Sequence, residues 1–464
     1  MPKQMTAEQK LTYMTETPLP RLVLSLSVPT IVSMLITSFY NMADTYFVGL
    51  IGSASASGAV GVAFPLMAIM QAVGFMFGHG SGNHMARVLG AGDAADASKM
   101  AATGFFSAFF VGLAIMTIGL LAAKPLAYAL GSTPTIAPYA MEYLGYLMPG
   151  APFLIASLVL NNQLRFQGSA FYAMIGIASG AVLNIALDPL FIFVFDMGVS
   201  GAALATIISQ FVGFVLLLKG TTQGGNLRIR LRNVTFSKYY YSQIINGGMP
   251  SLCRQGLGSV ATICLNLMAG PYGDAAIAAM SVVGRVMNLA ASVVTGFGQG
   301  FQPVCGFNYG AFLYDRVKEG FWFCVKVATV ILIVLSAAGY LLAPQVIQLF
   351  SKNDPQVIAI GTQALRWQCL TFPLCGWITI CNMMLQTIGK SFRASLLAMS
   401  RQGLFFIPEV LLLPALIGIQ GVEIAQPIAD VCSFVLAIPL QLSVLHEMTL
   451  KQREAACAPL ATEG

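Results

Sequence analysis

A chain that is written twice has few folds open to it, and this one repeats itself at an interval of about 220 residues. Pro29 recurs as Pro250 and Gly49 as Gly270, and Phe77-Gly78-His79-Gly80 recurs as Phe297-Gly298-Gln299-Gly300. Gly90-Ala91 returns as Gly310-Ala311, Pro152 as Pro373, Asn161 as Asn382, Gly168 as Gly389, and Gly198 and Gly201 as Gly418 and Gly421. Both copies are largely apolar. The chain is 57% hydrophobic and 9% charged, where a soluble domain carries ~25% charged residues. No soluble core needs that much apolar surface, so the repeat is a duplicated membrane domain. Paired halves about a midplane site are a common build of secondary transporters.

A hydrocarbon layer of ~30 Å needs roughly 20 apolar residues of helix. Runs of that length predict spans at 21–48, 56–80, 98–123, 137–161, 169–194 and 199–219, then at 244–269, 276–304, 320–343, 356–385, 391–417 and 420–445. The fold class is therefore an all-α polytopic membrane protein with about twelve transmembrane helices in two pseudo-symmetric six-helix lobes. The expected divisions are a polar tail at 1–20, an N-lobe at 21–219, a linker at 220–243 with Arg228, Arg230, Arg232 and Lys238, a C-lobe at 244–445, and a tail at 446–464.

Basic residues alternate between the remaining breaks. Arg87, Lys99, Arg165, Arg316, Lys318, Lys390, Arg393, Lys451 and Arg453 fall on one side, and only Lys124 and Lys352 on the other. Positive residues collect in cytoplasmic loops, which predicts both termini in the cytoplasm. The formal charge of +6 is on this reading an orientation signal and not a nucleic-acid footprint. The N-terminus lacks the pattern of a secretory signal. The nine cysteines all lie in the second half, mostly in apolar runs and without a C-x-x-C pair, so neither a disulfide framework nor a metal site is expected. Gly78-His79-Gly80-Ser81-Gly82 follows no strand and is no dinucleotide fingerprint. No Walker motif or nucleophile–base arrangement is present. His79 and His84 are expected in loop or packing roles.

Ionisable residues inside spans are costly and mark functional sites. Asp44 lies late in the first span and Asp188 late in the fifth, at similar depth. Asn41 precedes Asp44 by three residues and Asn184 precedes Asp188 by four, which puts each Asn on the face of its Asp. Pro189 cannot donate a backbone N–H and frees the carbonyl of Ile185. Thr206 falls at matching depth in the sixth span. These oxygens suit a proton or a hard monovalent cation. Pro29 is expected to kink the first span. In the second half, Glu409 occupies the position related to Asp188. Arg254, Arg285, Arg366 and Arg401 fall near mid-membrane, with Asp430 and Glu423 in the last span. Some of these arginines are expected to pair with Glu409 and Asp430. The alternative is a basic wall of a translocation cavity.

Pro29 and Asn41-x-x-Asp44 on the first span, the Gly78-to-Gly92 region, Asn184-x-x-x-Asp188 on the fifth and the repeat in the second half together resemble the MATE (multidrug and toxic compound extrusion) transporters over about residues 15–450. The resemblance is to the bacterial branch with acidic coupling residues in the N-lobe. It implies an inner-membrane antiporter with a V-shaped cavity, with Asp44, Asn184, Asp188 and Thr206 as the cation site and Pro29 as the bend point. It implies no cofactor, H⁺ or Na⁺ as coupling ion, an amphipathic and usually cationic cargo, lipid as the other partner, and a monomer. Where some relatives carry acids in the seventh and tenth spans, this chain has Arg254 and Arg366. A flippase for lipid-linked saccharide precursors, or an exporter of an anionic metabolite, is the competing reading.

Overall fold

The computed structural model describes residues 5–51, 54–130, 132–350 and 354–457; Lys352 and parts of both tails lie outside them. The described residues form helices and no strand. In chain order these are α1 (Ala7–Glu16), α2 (Leu19–Gly49), α3 (Ala54–Gly90), α4 (Ala94–Leu121), α5 (Ala123–Ala129), α6 (Ala137–Leu147), α7 (Ala151–Phe166), α8 (Ala170–Pro189) and α9 (Gly198–Gly220). After the linker come α10 (Lys238–Ala269), α11 (Asp274–Gly310), α12 (Tyr314–Leu341), α13 (Ala343–Phe350), α14 (Pro355–Thr371), α15 (Leu374–Thr387), α16 (Ser391–Met399), α17 (Phe406–Ile417) and α18 (Ile419–Cys457).

Ten helical segments are long and apolar enough to cross a membrane, and an eleventh span is made of α14 and α15, bent by 58°. The twelfth is α10. It has 32 residues but is more polar, because Asn246, Arg254 and Gln255 interrupt its apolar run. The expected twelve helices in two lobes are therefore present. Several run beyond their predicted ends, because a helix does not stop where it leaves the apolar layer. α3 continues to Gly90, α11 to Gly310 and α18 to Cys457. The polar N-terminus is also more than a tail. Its α1 is closed by a capping box between Thr6 and Gln9, and it buries Met14 completely. Lys10 Nζ donates to Ser169 Oγ at 3.0 Å and to Asn226 Oδ1 at 2.6 Å; burial lowers its pKa to about 8.

The duplication is visible in single bonds. Asn161 Nδ2 donates to Ala173 O at 3.1 Å, and Asn382 Nδ2 donates to Ala394 O at 2.7 Å. Each bond ties the end of the fourth span of its lobe to the start of the fifth. The lobes themselves join in the same paired way, α3 packing on α10 and α2 on α11. The seal lies at the end of the molecule that holds the linker. There, residues 77–86 of α3 and 297–308 of α11 are continuously buried, while residues 281–295 of α11 are mostly not.

Glycine makes this seal possible. A Cβ on Gly90 would stand 2.1 Å from Phe307 O, and a Cβ on Gly310 would stand 1.8 Å from Arg87 O. The two contacts are copies of each other under the repeat, so α3 and α11 cross on the pseudo-twofold axis. Small residues are the usual means of bringing helices together in lipid, where the hydrophobic effect does not drive association. Side chains then latch the same end. Tyr240 donates to Asp96 Oδ1 at 2.5 Å, Arg87 Nη1 to Thr387 O at 2.5 Å, and Arg316 Nη2 to Thr17 O at 2.7 Å.

Gly310→Val is expected to destabilise the protein by about 1–3 kcal/mol through overpacking, read as a lower melting temperature in detergent. Gly145→Ala, where a Cβ meets nothing within 4 Å, is expected to leave it unchanged or slightly raised.

Candidate functional site

Pro189 closes α8, and the chain passes through a π turn, Leu190–Val194. Such wide turns often mark functional sites. Here the turn follows Asp188, which is completely buried; Asn184 is 1% and Thr206 2% exposed. With its amide turned to satisfy both ends, Asn184 donates from Nδ2 to Asp188 Oδ2 at 3.0 Å and accepts at Oδ1 from Thr206 N at 3.2 Å. The four-residue spacing read in the sequence thus becomes a hydrogen bond, and α9 supplies the third member. Asp188 Oδ1 is buried without a partner. A buried carboxylate oxygen left bare is costly.

Asp44, on α2, is part-buried and within electrostatic reach of Asp188. Asn41 is exposed, and the structure does not bring its side chain into this cluster. Two residues that sequence reasoning missed stand beside it. Tyr40 borders Thr206 and both carboxylates, and Tyr143, on α6, faces the same pair of acids. Tyr40 lies one turn before Asp44, a spacing that places the two on one face; nothing in the local pattern points to Tyr143. α2 runs unbroken through Pro29, with Ser33 Oγ donating to Pro29 O at 2.9 Å.

The C-lobe is built differently at the related positions. A second π turn, Ser400–Leu404, carries Arg401, whose Nε donates to Asp430 Oδ1 at 2.7 Å. Gln426 Nε2 donates to the same oxygen at 2.9 Å. The expected pairing holds for Arg401 and Asp430 alone. Glu409 meets only Cys432 Sγ, at 3.9 Å, and its Oε2 is buried without a partner. Glu423 is buried with one oxygen equally bare. Arg366 lies over the Tyr340 ring at 5.5 Å, and Arg285 is exposed.

Beyond the linker-end seal, a cavity of about 520 Å³ separates the lobes. Phe64, Pro65, Ala68 and Gln71 of α3 form one wall, and residues of α10, α11, α15, α16 and the second π turn form the other. Its charged lining residues are Arg254 and Arg401. Arg165, grouped by the sequence with the solvated basic breaks, is instead 2% exposed. It sits in the last turn of α7, turned into the lobe junction. Its Nη2 contacts Asn162 Oδ1 at 2.7 Å, His79 Nε2 at 3.2 Å and Gln302 Oε1 at 3.4 Å. His84 is also buried and holds Asp96 Oδ2 at 3.0 Å.

Two helical lobes of like build, sealed at one end around a central cavity and carrying buried carboxylates within a span, define a membrane transporter. The MatE family model matches the chain twice, over residues 29–190 and 250–410, and the protein belongs to this family, whose members are transporters and not enzymes. The multidrug export protein MepA of Staphylococcus haemolyticus is 27% identical over 96% of this chain and 98% of its own. MepA of Staphylococcus aureus is 26% identical over 91% and 93%. Among solved structures, a MATE in complex with MaL6 superposes with a TM-score of 0.89 at 25% identity, over 95% of this chain and 99% of its own. An outward-facing multidrug resistance MATE family transporter superposes with a TM-score of 0.89 at 25% identity, over 96% and 99%.

Asn184→Leu removes the donor that holds Asp188 Oδ2. The variant is expected to lose about 1–3 kcal/mol of stability in cation-free detergent at neutral pH. Differential scanning fluorimetry against Na⁺ and pH is expected to show a weakened cation-dependent rise in melting temperature.

Proposed function

We propose that the protein is a secondary active exporter of small amphipathic compounds, driven by inward movement of H⁺ or Na⁺. The observation that carries this reading is the bare, buried oxygen of Asp188, held beside Asn184 and Thr206 and facing Asp44. Its likeness to multidrug export proteins supports efflux as the direction and drug-like compounds as the cargo. Asp44, Asn184, Asp188 and Thr206 form the coupling site, and no cofactor takes part.

The basic breaks support a cytoplasmic linker end and cytoplasmic termini, in a bacterial cytoplasmic (inner) membrane. The sealed linker end is then the inner gate, and this arrangement is outward-facing. The functional units are the lobes at 21–219 and 244–445, joined by the linker at 220–243 in a monomer. From outside, the cation enters the N-lobe and cargo leaves the cavity. The lobes rock, the latches at Asp96, Arg87 and Arg316 part, and the cation leaves inward as new cargo arrives. Pro29 lets α2 bend as its contact with α11 changes. Coupling requires that cation and cargo prefer the two arrangements differently, because only a differential affinity shifts such an equilibrium.

Asp188→Asn keeps the side-chain volume and removes the charge. In proteoliposomes carrying a fluorescent amphipathic dye, with a pH gradient and a Na⁺ gradient imposed separately, wild type is expected to move dye under one of them. Asp188→Asn at equal incorporation is expected to fall to background. Full gradient-driven movement by the variant would overturn the coupling site.

A further inference from the structure

The central cavity has charge of one sign. Its charged lining residues are Arg254 and Arg401, and they are not equivalent. Arg401 is neutralised by Asp430, which lies behind it and is 2% exposed. Arg254 has no acid. Its one described bond is from Nη1 to Asn382 Oδ1, at 3.3 Å. The amide nitrogen of Asn382 is already committed to Ala394 O at 2.7 Å, so its oxygen is the end left for Arg254. A guanidinium has five N–H donors in a rigid fork, and most of those on Arg254 are unassigned.

Behind Arg254 stands a second cation, Arg165, within electrostatic reach and bonded to Asn162, His79 and Gln302, none of which is anionic. His79 Nδ1 lies 3.2 Å from Phe75 O. That carbonyl can only accept, so the proton sits on Nδ1 and Nε2 offers Arg165 a lone pair. Asp44 and Asp188 do not line the cavity. Arg254 therefore lines the cavity half-buried, with the fully buried Arg165 as a second cation within electrostatic reach and no carboxylate bonded to either among the described residues. Repulsion between two cations that have no acid partner is relieved by an anion bound at the accessible one.

From this geometry, and resting on the efflux reading above, we propose that Arg254, backed by Arg165, makes the cavity a binding site for an amphipathic cargo carrying an oxyanion, a carboxylate or a phosphate. The planar fork matches such groups bidentately. Phe64, Pro65, Ile263, Met383 and Leu397 line the same space and receive the apolar body. The volume suits a drug-sized molecule. A cargo bearing only positive charge is disfavoured.

The test is a matched pair of dyes, rhodamine B with its free carboxylate and rhodamine B ethyl ester without it. Binding to the full-length protein in detergent is read by fluorescence anisotropy. Wild type is expected to bind rhodamine B about tenfold or more tighter than the ester, the worth of a charge-assisted bond. Arg254→Gln is expected to abolish that preference and Arg254→Lys to keep part of it. Arg285→Gln, off the cavity, is expected to leave it unchanged. Equal or tighter binding of the ester by wild type would overturn the proposal without recourse to any variant. Displacement of rhodamine B by dihexanoyl phosphatidic acid would identify membrane lipid as the source of the oxyanion. Retention at saturating lipid would identify a soluble organic anion, and both keep the site. If rhodamine B binds as expected and no gradient moves it in proteoliposomes, the export reading falls and the anion site stands. If a gradient moves the ester and wild type shows no preference for the carboxylate, export stands and the anion site falls.

Discussion

Everything in this molecule depends on how closely two helices can approach. α3 and α11 cross with backbone against backbone, Gly90 over Phe307 O and Gly310 over Arg87 O. A lipid-embedded interface gains nothing from removing apolar groups from water, because the surrounding chains are equally apolar. What remains is contact density and hydrogen bonding, and both rise as the helices close. The crossing also fixes the pseudo-twofold axis. Once α3 and α11 meet there, α10 falls against α3 and α2 against α11. The same seal holds one end of the cavity shut.

A seal of this kind suits a protein with two arrangements. Its named side-chain latches are polar, two engaging backbone carbonyls and one a carboxylate. Such bonds contribute modestly in net terms, because each can be exchanged for water. The larger apolar clusters, one around Phe301 and Phe321 and another around Leu144 and Leu160, lie mostly in the C-lobe and the N-lobe but also cross the junction, at Leu22, Leu26 and Phe166 in the first and at Tyr240 and Ile244 in the second.

Buried charge is divided between the lobes. The N-lobe holds Asp188 with one oxygen bare, and the cavity between the lobes holds Arg254 with no acid bonded to it among the described residues. Each is costly alone in a medium that screens poorly. On the proposed reading they are two sites of opposite appetite, one for a cation and one for an anionic group. The related positions in the C-lobe have lost the pattern. Arg401 is tied to Asp430, and Glu409 meets only a thiol. The two halves share a scaffold, and the Asn184–Asp188–Thr206 cluster is found in the N-lobe.

Much of this was legible in the residues. The spacing of glycines, prolines and asparagines shows the repeat, and apolar run lengths show the spans. Asn184 and Asp188 could be read as partners because helical geometry places residues four apart on one face. Thr206 could be matched to them by depth. The rest required contacts between distant segments. Arg165 looks like a solvated basic residue because it stands near a helix end among polar neighbours, yet it is buried against α3 and α11. Tyr143 carries no local mark of its place beside the acids, and Arg254, Arg366 and Arg285 look alike in sequence. The sequence by itself determined the helical class, the duplication and the acidic cluster, because these follow from periodicity and spacing within one or two turns. Tertiary structure alone decided which arginines face the cavity, which one is neutralised and where the lobes seal, because those outcomes depend on which faces of remote helices come within a few ångströms of each other.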